Sequence, residues 1–470
     1  MGLDCKTYVA SLVARAGKAQ TVAEGYSQER IDELCAAIAF VGTRPDFAAK
    51  IAASLVKESG MGIAEHKVAK IMTKVKGAWR DMKGEKSVGI IECDEARGIV
   101  KLAKPVGVIG ALIPVTNGEA TPLVKAIMAL KGRNAIILAP HPKAKATNVM
   151  AADLIRATLK KYGAPEDLVI AVDPDYVSVE CSGELMKQVD LVLATGGTPM
   201  VRSAYSSGTP AIGVGTGNAC TIIDGSTDLD TVANQIMRSK TFDNATSCST
   251  ENSCLVQEKV YDAFVAAMTK QGGYLIARNS PEKAKLQAAM WPDGHALNRF
   301  IVAQSAKKIA EVAGLTLPDT VKFFMVEEDG IGADFLFTGE KLSVVTTLYR
   351  YGDFEDALNK AEKIIAYQGL GHSCGIHTAH NDRVLQLAGR IKVSRIMVNQ
   401  PQCLANSGAW TNGIPMSLTL GCGTWGKNSV SHNVTWKDLI NTTWVSWPIP
   451  STQPTDEDLF PASVREFNKA

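Results

Sequence analysis

No two cysteines in this chain are spaced C-x-x-C; the ten are scattered from Cys5 to Cys422. That spacing argues against a zinc site and a dense disulfide framework, and it fits a reducing cytoplasm. A charge excess is missing too, since 50 Lys and Arg against 48 Asp and Glu leave a net +2. Without a long basic block, neither nucleic acid nor a membrane surface is expected as a partner. No apolar run approaches the ~20 residues that a membrane-crossing helix needs. The first residues, Met1-Gly2-Leu3-Asp4-Cys5-Lys6, lack the basic-then-apolar order of a secretory leader, and Lys6 stands where myristoylation wants Ser or Thr. What is present, 46% hydrophobic and 21% charged residues with 40 glycines in a chain of 470, is the composition of a soluble enzyme too long for one core.

Residues 8–80 read as amphipathic helix. Val88-Gly89-Ile90-Ile91-Glu92-Cys93, a turn over 94–98 and Ile99-Val100-Lys101-Leu102 then read as a β-hairpin. From Val106 onward, apolar runs at 106–113, 135–139, 168–172, 191–194 and 211–214 alternate with helical patterns at 123–130, 149–161, 183–188 and 200–205. This alternation predicts a mainly parallel sheet covered by helices on both faces. Ligands are then expected beyond the carboxyl ends of its strands, at 114–117, 140–143 and 195–197. A second α/β region runs from Ser226 to about Gly413. The apolar tail Trp444-Val445-Ser446-Trp447-Pro448-Ile449-Pro450 is expected to pack on another subunit, with docking on its own domain as the alternative.

One segment of the second region stands out. Leu229, Val232, Ala233, Ile236 and Met237 repeat with helical spacing behind a cap at Ser226 or Asp228. The apolar run Cys254-Leu255-Val256 reads as a strand. Between them lies the polar loop Phe242-Asp243-Asn244-Ala245-Thr246-Ser247-Cys248-Ser249-Thr250-Glu251-Asn252-Ser253. Cys248 is there either a reactive thiol on a connection or a packed small hydrophobe, the usual fate of a free cysteine. Asn117, before Gly118, has the alternative of a turn residue, and His372 that of a histidine tying a loop to backbone.

The dinucleotide fingerprint G-x-G-x-x-G is absent. Gly213-Val214-Gly215-Thr216-Gly217-Asn218 comes nearest, but it leads into Thr221-Ile222-Ile223, another strand, and opens no helix. Taken in order, however, the segments 104–110, 133–137, 139–144, 194–197, 204–208, 213–218, 242–253, 340–343 and 417–423 resemble the CoA-acylating branch of the aldehyde dehydrogenase superfamily. The likeness spans about residues 100–435.

This resemblance implies a fold and a set of roles. The fold is α/β, with two parallel-sheet domains, an oligomerisation hairpin and a C-terminal arm. Residues 1–225 would form the dinucleotide-binding domain, interrupted by the hairpin at about 87–104. Residues 226–420 would form the catalytic cysteine domain, and 421–470 would return to the cofactor domain as the oligomerisation arm of a homodimer or homotetramer. Cys248 would be the nucleophile, Asn117 and the Cys248 N–H the oxyanion donors, and His372 a relay for the CoA thiol proton. Leu112, Ile113, Pro114, Val115, Thr116, Asn117, His141, Lys143, Gly196, Gly197, Gly215, Glu340 and Leu420 would surround NAD or NADP. Glu340 would accept from the nicotinamide ribose, and Lys143 would lie near the adenosine ribose. No metal is implied.

Hydrolytic members of the superfamily carry a water-activating glutamate in the stretch matching 213–218. None stands here, so a thioester on Cys248 would persist until the thiol of coenzyme A attacks it. Three residues depart from the common acylating pattern: Ala245 replaces Gly, Thr246-Ser247 replaces two apolar residues, and Gly118 replaces a frequent Pro. The polar rim favours a small polar aldehyde. The Thr246-Ser247-Cys248-Ser249 loop most resembles members acting on sulfoacetaldehyde, with acetaldehyde as the competing substrate. A hydrolytic cysteine enzyme without dinucleotide is the rival from another class.

Overall fold

The computed structural model describes residues 2–468. Four helices open the chain, Cys5–Glu24, Gln28–Gly42, Pro45–Ser59 and Ala64–Met82. The hairpin follows as β1 (Gly89–Asp94) and β2 (Ile99–Pro105), antiparallel. Then come β3 (Val108–Ile113), β4 (Ala135–Pro140), β5 (Val169–Ala171), β6 (Leu191–Thr195) and β7 (Ala211–Val214). All five pair in parallel, in the order β5-β4-β3-β6-β7. They coincide with the five apolar runs. Every residue of β3 and β4 is buried, as befits parallel strands covered on both faces. The order reverses between β3 and β6, which opens a crevice beyond their carboxyl ends at 114–117 and 195–197.

The second sheet contains β8 (Cys220–Ile223), β9 (Ser253–Gln257), β10 (Gly273–Ile276), β11 (Phe323–Glu327), β12 (Val345–Tyr351), β13 (Cys374–His377) and β14 (Ile396–Val398). Its order is β10-β11-β12-β9-β8-β13-β14, parallel throughout. Because β8 already belongs here, the chain passes between the sheets at 215–219, ahead of Ser226. One apolar core lies around the first sheet, and two more pack against the second. The tail returns to the start of the fold. Val434, Trp436 and Leu439 enter the first core, and β15 (Ile440–Ser446) pairs antiparallel with β2. Of the two expectations for the tail, docking on its own chain accounts for β15, while Trp444 and Trp447 remain more than half exposed.

Two features lie outside what spacing reveals. Cys5 and Cys181, separated by 176 residues, form a disulfide that fastens the first helix to the helix Val179–Gln188. The helix Ala64–Met82 is amphipathic, but it buries Lys67, Lys70 and Lys74 along with Ile71 and Val75. Lysines at i, i+3 and i+7 therefore face inward.

Candidate active site

The carboxyl-terminal edge of the first sheet faces the amino-terminal edge of the second across a cavity of about 650 Å³. From the first sheet it receives Ile113 at the end of β3 with Pro114, Val115, Thr116 and Asn117 beyond it, His141 after β4, and Thr195 at the end of β6 with Gly196 and Gly197 beyond it. The second supplies Cys248 before β9, Glu340 before β12 and His372 before β13. Gly215 lines it from the connection between the sheets, and Leu420 from the returning segment. Of the residues named from sequence, two do not line it. Leu112 is buried in β3, and Lys143 is exposed, its N–H donating to His141 Nδ1 at 3.0 Å.

The loop that carries Cys248 is strained. Asp228 caps the helix Leu229–Thr241, which ends at Phe242. Asp243, Asn244 and Ala245 then follow in left-handed conformation, with φ of 51°, 51° and 60°. Left-handed backbone costs roughly 1–2 kcal/mol per L-residue, less for Asp and Asn. Glycine, common at the position of Ala245 in the resembled family, would escape that cost. The loop is held by Asp243, whose fully buried carboxylate meets Lys67 Nζ at 2.9 Å and Lys70 Nζ at 2.8 Å. It also accepts from the Ile63 N–H at 2.7 Å and the Thr246 hydroxyl at 2.8 Å. Burial opposes its charge, but Lys70 and Lys67 prevail and hold its pKa down to about 2.

Lys70 reaches further. It lies 3.2 Å from Glu119 and donates to Asn117 Oδ1 at 2.6 Å. An ammonium can only donate, so this bond fixes which end of the Asn117 amide is oxygen and turns Nδ2 outward as a donor. On the other side of the cavity, His372 Nε2 lies 3.1 Å from Cys248 Sγ, and its Nδ1 pairs with the Ser373 hydroxyl at 2.8 Å. The histidine ring thus contacts the thiol, and it is the backbone oxygen of His372 that ties to Arg395, at 2.9 Å.

Electrostatics keep this pair uncharged at rest. Burial, aided by Arg395, lowers the His372 pKa to about 3. Burial, followed by the neighbouring Glu340, pushes the Cys248 thiol up, with Arg395 as a partial counterweight. The neutral imidazole is free to accept the thiol proton. Gly217 makes the packing possible, for a Cβ there would come within 1.9 Å of the Cys248 carbonyl oxygen.

Glu340 is the single carboxylate lining the cavity among the described residues. Burial raises its pKa to about 8, and its Oε1 has no hydrogen-bond partner. A buried acceptor left without a donor fits a sugar hydroxyl. The glycines at 196–197 open the helix Thr198–Tyr205, whose N-terminal N–H groups suit a phosphate. These features fit a dinucleotide. No cluster of three or more His, Cys, Asp or Glu suited to a metal ion occurs among the described residues. No helix among them is long and apolar enough to cross a membrane.

Sequence reasoning missed Lys70, Lys74, Asp243 and Arg238, all part of this site or its support. The one available signal was the lysine spacing 67-70-74, which puts these side chains on the same helix face as the apolar Ile71 and Ala78.

A sequence model of the aldehyde dehydrogenase family matches residues 6–313. A sulfoacetaldehyde dehydrogenase of Acholeplasma is 46% identical over 97% of this chain and 94% of its own length. An acylating sulfoacetaldehyde dehydrogenase of Cupriavidus necator is 44% identical over 96% of this chain and 91% of its own. Among solved structures, an acetylating aldehyde dehydrogenase from Geobacillus thermoglucosidasius superimposes with a TM-score of 0.91 at 34% identity, covering 96% of this chain and 98% of that one.

Proposed function

The chain belongs to the aldehyde dehydrogenase family, and we propose that it oxidises a small polar aldehyde, sulfoacetaldehyde first, to the acyl-CoA with NAD(P)+ and coenzyme A. The observation that carries this reading is the 3.1 Å contact between His372 and Cys248 in a cavity that also holds the Asn117 amide. The names of the two sulfoacetaldehyde relatives support the substrate.

In this mechanism His372 takes the Cys248 proton and the thiolate adds to the aldehyde carbonyl. The resulting oxyanion accepts from Asn117 Nδ2 and the Cys248 N–H. When bound, the nicotinamide supplies the hydride acceptor that turns this adduct into a thioester. The residues after β3, His141, Gly196, Gly197, Gly215, Leu420 and Glu340 would hold the dinucleotide, Glu340 through the ribose. Segment 213–218 offers no carboxylate to activate water, so the thioester awaits coenzyme A. His372 gives up the first proton to solvent, receives that of the incoming thiol as its sulfur attacks the thioester, and returns it to the departing Cys248 sulfur as acyl-CoA leaves. The balance is aldehyde, CoA and NAD(P)+ to acyl-CoA, NAD(P)H and a proton. In this reading the chain before the 215–219 crossing serves as the cofactor region, the chain from there to 420 as the catalytic region and 421–470 as the assembly region, and the protein is a homodimer or homotetramer.

The test is reduced-nicotinamide absorbance followed with sulfoacetaldehyde, with and without CoA. Formation that needs both aldehyde and CoA, and vanishes in Cys248→Ala, is the expected result. Turnover without CoA that releases the free acid would overturn the acylating mechanism, and full activity of Cys248→Ala would remove the nucleophile.

A further inference from the structure

The cavity is lined by three cations, Lys70, Lys74 and Arg238, against the single carboxylate of Glu340. Lys70 is neutralised by Asp243 and Glu119. Lys74 is not. The residue is 7% exposed, and its ammonium donates to the Gly408 carbonyl at 2.5 Å and the Ser407 carbonyl at 3.4 Å, leaving one N–H and the whole charge unanswered. Burial, with Lys70 adding to it, lowers the Lys74 pKa to about 8. Arg238 stands exposed near the end of the helix Leu229–Thr241, with no ion pair or hydrogen bond among the described residues. Phe242, four residues on, lines the same cavity, as do Ser407, Trp410 and Thr411.

A long guanidinium of this kind usually finds a carboxylate or faces bulk water. Arg238, though exposed, borders a cavity whose only acid among the described residues is Glu340, desolvated and poised near neutrality. Two uncompensated cations at one cavity form a host for an anion that the protein does not itself provide.

We propose that Arg238, backed by Lys74, receives the anionic tail of the aldehyde, a sulfonate or a carboxylate. The parallel N–H pair of a guanidinium matches two oxygens of either group. Arg238 lies on the helix that runs straight into the Cys248 loop, so a tail anchored there orients the carbonyl toward the thiol. This inference rests on the acylating reading above and names the chemistry of its substrate.

The experiment measures kcat/KM for sulfoacetaldehyde, succinate semialdehyde and propionaldehyde, with saturating CoA and dinucleotide, in wild type, Arg238→Gln and Arg238→Lys. The Arg238→Gln enzyme should lower the ratio of sulfoacetaldehyde to propionaldehyde by about 30-fold, chiefly through KM, the loss of a charge-assisted pair. Arg238→Lys should recover part of it. A fall confined to the ratio for succinate semialdehyde assigns the tail to a carboxylate. Ratios within about threefold of wild type for both anions, in an enzyme that still couples aldehyde and CoA, overturn the anion site alone. A wild type inactive with all three aldehydes overturns the function on which it rests.

Discussion

At the scale of single residues, Glu340 makes the most direct prediction. Its burial raises the pKa to about 8, so the side chain is mostly neutral at pH 7 and ionised by pH 9. A ribose hydroxyl donates better to a carboxylate than to a carboxylic acid. Dinucleotide affinity should therefore tighten as the pH rises through about 8, and Glu340→Gln should flatten the profile. Isothermal titration calorimetry between pH 7 and 9 measures this; an affinity independent of pH in the wild type contradicts the ribose contact. Cys248, Asn117, Glu340 and His372 were named through the family resemblance, and the fold brings all four to one cavity, whereas the residues read alone left Cys248, Asn117 and His372 each with a structural alternative. Lys70 and Lys74 were not named, because a lysine on an amphipathic helix ordinarily marks the solvated face. Only the tertiary fold, which brings Asp243 and the Gly408 carbonyl against that helix, makes their burial intelligible.

At the scale of elements, the Cys248 loop and the helix Ala64–Met82 depend on each other. Asp243 joins them through two buried ammonium groups, and it stands in the left-handed run that shapes the loop. Removing its charge leaves Lys67 without a counter-ion and Lys70 with Glu119 alone, and breaking a buried pair in this way typically costs about 3–5 kcal/mol. Asp243→Asn should lose stability on that scale in urea unfolding at pH 7. Because the Asp243 pKa is depressed in the fold, its contribution is present above the unfolded value near ~3.9 and is lost as pH falls toward about 2. The difference between wild type and Asp243→Asn should accordingly shrink over that acid window, as followed by circular dichroism. The helix and strand flanking the loop were visible from periodicity. The three left-handed residues were not, since only Ala245, where the resembled family's common pattern has glycine, hints at that backbone.

At the scale of the whole molecule, the alternation of apolar runs and helical patterns sufficed to place all five strands of the first sheet. Their order was not readable, because pairing between distant runs leaves no local trace. The tail shows the same limit. Its apolar character was plain, but its pairing with β2 depends on a partner more than 300 residues away. Trp444, Trp447 and Ile449 remain exposed beside that sheet, and in the proposed oligomer they are covered by a second copy. Trp447→Glu together with Ile449→Glu should shift the sedimentation coefficient to that of a single chain. A monomeric wild type, or an assembly unchanged by both substitutions, would remove the arm from the interface.

The fastening of Asn117 to the Cys248 loop through Lys70 has a mechanical consequence. The two groups arise from different sheets, yet the gap between them is set by a clasp of charged side chains and not by the stiffness of either sheet. The walls of such a site can yield when one bulky cofactor departs and another enters. The distance across which a carbonyl is gripped stays the same.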